Sequence, residues 1–271
     1  RGQKMTWALV VLGAGAAILG LVAFVTSSGP ARQLTGNPTA FYFGYLALVE
    51  IIFNTVSGIV LLLLASRLVA MEYASGTIRV VLARGTGRLQ LLAAQYAALA
   101  MVALFLLAGF AVLSGGFLYA DVVARHGSFA PITSLPSLAW HDTGMNVLVS
   151  LASMATCILL GSAAAAVGRS MAFGVGVAMA FFPADNFGTI VMALLQRITH
   201  QDVWPRATQW FLGPNLNNLP IAAQPDHVVG SAFTPPLVPV NATHSWLLIG
   251  AYSLVFLVAA VVLTLRRDVL E

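Results

Sequence analysis

Apolar and polar positions are not interleaved along this chain; they are segregated into long blocks. Six stretches run for about twenty residues or more with at most one charge each: residues 5–26, 45–65, 91–118, 145–167, 171–195 and 246–265. A helix needs about 20 apolar residues to cross the roughly 30 Å hydrocarbon core of a bilayer. Lipid offers open backbone groups no partner, so helix is the form such blocks take. The pattern predicts an all-α membrane protein, a single transmembrane domain over residues 1–271 with six transmembrane helices. No internal repeat is visible. The first block is too long and too continuously apolar for a signal-peptide core and lacks a convincing cleavage site, so it is expected to be a retained span. Because the chain begins at Arg1 and not at a methionine, further sequence is expected ahead of it.

The polar intervals between the blocks set the orientation. With both ends inside, Arg1, Lys4, Arg67, Arg79, Arg84, Arg88, Arg169, Arg266 and Arg267 face the cytoplasm, and Arg32, Arg125, Arg197 and Arg206 face out. That bias follows the rule that short cytoplasmic loops carry the excess of basic residues. Trp140, Trp204, Trp210 and Trp246 fall near or beyond the outer boundary, where amphipathic rings prefer to sit, and all five histidines fall outside. The outer loops are unequal: residues 27–44 and 119–144 are shorter, and 196–245 is long and rich in Pro, Asn and aromatics. A loop of that length is uncommon without a function. Within it, residues 204–213 read as a short interfacial or re-entrant helix.

Composition agrees. The chain is 59% hydrophobic and 8% charged, with a mean hydropathy of +0.89; a soluble domain carries about 25% charged residues. The net charge of +4 is scattered over several loops, so no nucleic-acid partner is expected. All but one of the basic residues are Arg, a bias that a GC-rich bacterial genome would give, and a bacterial plasma membrane is the expected location. The single Cys157 excludes an intrachain disulfide and a cysteine metal cluster.

Several chemistries drop out. Lys4 is followed by Met5, so the chain lacks the Gly-Lys-Ser/Thr that holds nucleotide phosphates. No histidine lies within a span, which removes an intramembrane haem, a zinc protease or a Ser–His dyad. No catalytic residue and no metal ligand set is expected. Two acids do lie in spans. Glu50 heads a polar stripe with Asn54 and Ser57 at helical spacing, and Asp185 follows Pro183, beside Asn186. Intramembrane acids are costly and face a cavity or partner, so these five residues are candidates for a substrate or ion path. The plainer reading puts Glu50 near the outer headgroups and lets Asp185 cap a helix broken at Pro183. The fourth block adds Asn146, Ser150, Ser153 and Cys157 at the same spacing. Blocks four and five are rich in small residues, which let helices approach closely in lipid.

The most informative interval is 66–90, SRLVAMEYASGTIRVVLARGTGRLQ. Between the breaks at Gly76 and Gly85-Thr86-Gly87 lies a short piece, residues 77–83, with Ile78, Val81 and Leu82 on one helical face. Taken alone it reads as an amphipathic segment on the headgroups, with arginines at phosphates. Yet Glu72, Gly76, Thr77, Ile78, Arg79, Leu82 and Arg88, followed by Leu91-Leu92, resemble the signature of the type-2 family of ATP-binding-cassette (ABC) transporter permeases. The resemblance extends to six spans, both ends inside and a long outer loop between the last two. It implies the transmembrane subunit of an exporter, a dimer with a second copy or a related chain. Two separate ATPase subunits would carry the ATP and Mg, with no cofactor in this chain. Residues 77–83 would be the coupling helix docked on the ATPase, with Arg84 at its rim. Gly85-Thr86-Gly87 departs from the Pro-Val/Ile pair that members often carry before the Arg. Two other functions fit the same blocks: an ion-coupled secondary transporter using Glu50 and Asp185, and a non-transporting membrane anchor.

Overall fold

The computed structural model describes residues 34–75, 87–168, 171–223 and 234–266. The expected first span and residues 76–86, which hold Gly76, Thr77, Ile78, Arg79, Val81, Leu82 and Arg84, lie outside the described residues, as does the side chain of Glu72. No strand occurs among the described residues.

Five helices are long and apolar enough to cross a membrane. They are α1 (Pro38–Ser75), α2 (Arg88–His126), α4 (Ser137–Gly168), α5 (Met171–Thr199) and α8 (Ala242–Arg266). Shorter helices fill the connections: α3 (Ala130–Thr133), α6 (Val203–Ala207) and α7 (Leu212–Ala223). α1 and α2 run for 38 and 39 residues, about 57 Å at 1.5 Å per residue. Both outrun the hydrocarbon core, which is why hydropathy alone placed their ends inside the true helix ends. α2 stops at Gly127, whose φ of 76° is open to glycine at low cost and whose amide returns to the Val123 carbonyl.

The helices alternate in direction. At one end, here the long-loop end, the Tyr42 hydroxyl on α1 meets the Thr143 hydroxyl on α4 at 2.7 Å. An aromatic cluster of Phe41, Tyr42, Phe43 and Tyr45 packs there on Leu118, Val122 and Ile132. At the other end the start of α2 meets the finish of α8.

α4 is the hub, touching α1, α2, α5, α7 and α8. Its run of small residues is packed inside the bundle: Ala163 to Ala166 are all buried. A Cβ on Gly161 would stand 2.6 Å from the Leu62 carbonyl oxygen, and one on Gly174 2.8 Å from the Ala165 Cα. Glycine at these two positions sets how closely α1 and α5 approach α4. The Ser66 hydroxyl, fully buried, lies 3.1 Å from the Gly161 carbonyl and 3.4 Å from that of Gly174, so three helices meet at one side chain.

The outward faces are apolar. Phe105, Val112, Leu247 and Ile198 are each more than 70% exposed. In water such surface would drive association; in a bilayer it is the lipid face. Among the described residues the chain is helical, with five helices long and apolar enough to cross a membrane, the pattern of a multi-pass membrane protein.

Candidate functional site

The long-loop segment is folded into the bundle. Residues 204–213, expected as one short helix, divide into the end of α6, a 3-10 turn at Thr208–Trp210 and the entry to α7. α7 then inserts between α4, α5 and α8. Leu212 and Leu219, fully buried, pack on Val149 and Ile249. Its polar side chains are also taken in. Asn215 donates to the carbonyls of Gln209 and Phe211 at 2.7 and 2.8 Å. Ser245 of α8 donates to Asn215 Oδ1 at 2.9 Å, and Asn218 donates to Ser245 Oγ at 3.1 Å. Buried amides and hydroxyls are stable only when paired in this way.

Asp185 anchors the entry of α7. Its Oδ2 accepts the backbone amide of Gly213, one of the N–H groups that the first turn of a helix leaves without a partner. The negative charge also suits the positive end of the helix dipole. Asp185 therefore serves α7 and not its own helix, and α5 runs unbroken through Pro183. Beside it, Asn217 of α7 donates to Asn186 Oδ1 at 3.1 Å.

Between α1, α4, α5 and α7 lies a cavity of about 590 Å³. α1 contributes Glu50, Asn54, Thr55 and Gly58; α4 contributes Val149, Ser153 and Cys157; α5 contributes Pro183, Asn186 and Ile190; α7 contributes Leu216 and Asn217. The remaining lining is mostly aliphatic and aromatic, and the described lining contains no Lys, Arg or His.

Glu50 is the unusual member. Only 6% of it is exposed, and neither carboxyl oxygen has a hydrogen-bond partner among the described residues. The same is true of Asn54 Oδ1 and Ser57 Oγ. A buried polar atom without a partner is expensive, and a carboxylate more so. Glu50 is thus buried in the bundle and borders its cavity.

The structure joins the two candidate polar sets. Glu50, Asn54 and Asn186 share the cavity wall; Ser57 is buried on the same helix but outside the lining; Asp185 is engaged with Gly213. Sequence reading missed the fourth wall. Its signal was present, with Leu212, Leu216 and Leu219 at helical spacing inside a segment whose Pro and Asn content reads as loop. Of the residue 72–92 signature, Arg88, Leu91 and Leu92 have placed side chains, and Arg88 is the charged one among them. It donates to the Leu265 carbonyl at 2.9 Å and to that of Thr264 at 3.4 Å. Among the described residues no group of His, Cys, Asp and Glu is arranged to hold a metal ion.

Compared with known proteins, the chain matches no family model, and no curated protein matches it significantly.

Proposed function

We propose that this chain is the transmembrane permease subunit of an ABC exporter, moving its substrate by alternating access driven by ATP hydrolysis on two separate ATPase subunits. The observation that carries the transport reading is the cavity, a polar-edged space walled by three long apolar helices and α7, with the Glu50 carboxyl at its wall and without a partner among the described residues. A membrane anchor has no use for such a space, and an unpaired acid there is a liability unless something enters to pair with it.

The choice of ATP over an ion gradient rests on residues 72–92. Their resemblance to the type-2 permease signature makes residues 77–83 the coupling helix and Glu72, Gly76, Thr77, Ile78, Arg79, Val81, Leu82, Arg84 and Arg88 its functional set. Arg88 supports this reading at the helix ends, because it fastens the end of that loop to α8. The ion-coupled alternative asks for Glu50 and Asp185 together, and the engagement of Asp185 with Gly213 weighs against it.

The test is direct. The chain is purified with the ATPase encoded beside it and reconstituted in vesicles. The reading expects a stable complex that transports only with hydrolysable ATP. Failure of any ATPase to co-purify, with transport collapsing when the ion gradient is dissipated, would replace it with the secondary transporter.

A further inference from the structure

The polar atoms left open around the cavity are not a random set. Glu50 Oε1 and Oε2 and Asn54 Oδ1 are all acceptors, buried and without a partner among the described residues, and both residues line the cavity. The other amide pair at the wall satisfies itself, since Asn217 Nδ2 donates to Asn186 Oδ1. Among the described residues no donor is placed against these three atoms. The described lining has one acid and no base to balance it, and the rest is mostly hydrocarbon.

From this we infer that the cavity binds a cationic amphiphile: an apolar body carrying a protonated amine whose N–H groups pair with Glu50 and Asn54. The inference rests on the transport reading only in calling this molecule cargo. The volume of about 590 Å³ falls within the range of small-molecule sites. A bare metal ion would leave nearly all of it unfilled. An ethanolamine lipid presents the same ammonium, but it also brings a phosphate, for which the described lining has no cation. A quaternary ammonium has the charge but no N–H to give the acceptors. A protonated tertiary amine has a single N–H, so the two residues together call for a primary or secondary amine with net positive charge.

The experiment uses the purified chain in nanodiscs of phosphatidylcholine, with no ATPase present. The probe is dansylcadaverine, an apolar fluorophore ending in a primary ammonium. Saturable fluorescence enhancement is expected. N-acetylation of the probe, which removes the charge, should weaken binding about tenfold or more, the scale of one charge-assisted hydrogen bond. Glu50→Gln should do the same with the elution profile unchanged, and Glu50→Asp should retain most of the affinity. Should Glu50→Gln elute as aggregate, Ile190→Trp takes its place: it leaves the carboxyl intact and fills the cavity, and must weaken binding as well.

Equal binding of the charged and acetylated probes would overturn the inference, as would full affinity in a folded Glu50→Gln or in Ile190→Trp. So would displacement of the probe by sodium but not by choline, which would mark an inorganic ion site, or by phosphatidylethanolamine, which would mark a lipid headgroup site. Because no ATPase is in the assay, its outcome is separate from the permease reading. A probe bound through Glu50 here, together with failure of any ATPase to co-purify in the separate test above, would keep the site and remove the exporter.

Discussion

The Arg88 guanidinium, at the first residue of α2, donates to the backbone carbonyl of Leu265 at the last turn of α8, 2.9 Å away. The last carbonyls of a helix have no partner within it, and a cation there also offsets the negative end of the dipole. One side chain thus closes a helix end and joins two spans far apart in sequence. Arg88→Ala should lower thermal stability in detergent by about 1 kcal/mol and raise hydrogen exchange over residues 262–266. Arg88→Lys should recover only part, because an ammonium does not reproduce the planar fork. Unchanged exchange at those amides in Arg88→Ala would remove the contact from the account.

Close approach at Gly161 yields a paired prediction. An added methyl there meets the Leu62 backbone oxygen at 2.6 Å, which cannot move without moving α1. Gly161→Ala should cost about 1–3 kcal/mol, as overpacking does, and reduce the monodisperse fraction on size exclusion. Gly109→Ala, at a position with nothing within 4 Å, should be neutral or slightly stabilising, since alanine favours helix. Equal behaviour of the two would show that the α1–α4 contact is looser than described.

Asp185 offers a third test. Its loss strips the Gly213 amide of its acceptor at the entry to α7. Asp185→Ala should destabilise by about 1.5–3 kcal/mol, the range for hydrogen bonds to charged groups. The effect should be local, with faster exchange over residues 212–219 and little change in α1. Asp185→Asn keeps an acceptor and should fall between. If exchange rises evenly across all helices, Asp185 supports the whole bundle and not the seat of α7.

The coupling proposal is tested by Leu82→Asp. Burial of one such aliphatic side chain in a groove is worth roughly 1.5–3 kcal/mol, and a carboxylate there forfeits it. The expected result is a folded permease that loses its ATPase on purification or uncouples hydrolysis from transport. Arg79→Ala should do less, because an exposed charge at a rim contributes about 0–1 kcal/mol. A fully coupled complex with Leu82→Asp would return residues 77–83 to the membrane surface.

Hydropathy made the five long apolar helices legible, since each contains a predominantly apolar run of about twenty or more residues. Their ends were less so. Tyr119 to His126 carries the helix on through more polar sequence, and Gly127 marks its stop. The polar face of α1 was readable from the spacing of Glu50, Asn54 and Ser57, but not which of them borders a cavity, because that depends on how α4 and α5 pack against it. α7 was hidden by its own composition. Pro214 sits in a first turn, where a missing N–H is harmless. Asn215 and Asn218, which look like turn residues, are buried and pair with Ser245. Asp185 was ambiguous for a related reason: its partner, Gly213, lies on an element that the sequence did not separate from loop.

The meeting of α1, α4 and α5 at Ser66 has a mechanical corollary. Helices that touch backbone to backbone cannot part there without leaving a void, so they can only pivot about that point. Glu50 lies about 24 Å along α1 from Ser66, at 1.5 Å per residue. A swing of about 10° about such a fulcrum would carry Glu50 sideways by about 4 Å, close to one side-chain width, while Ser66 itself stayed still. The lever is shortest where the glycines are and longest where α7 sits, so a small rotation at one end becomes a gap at the other.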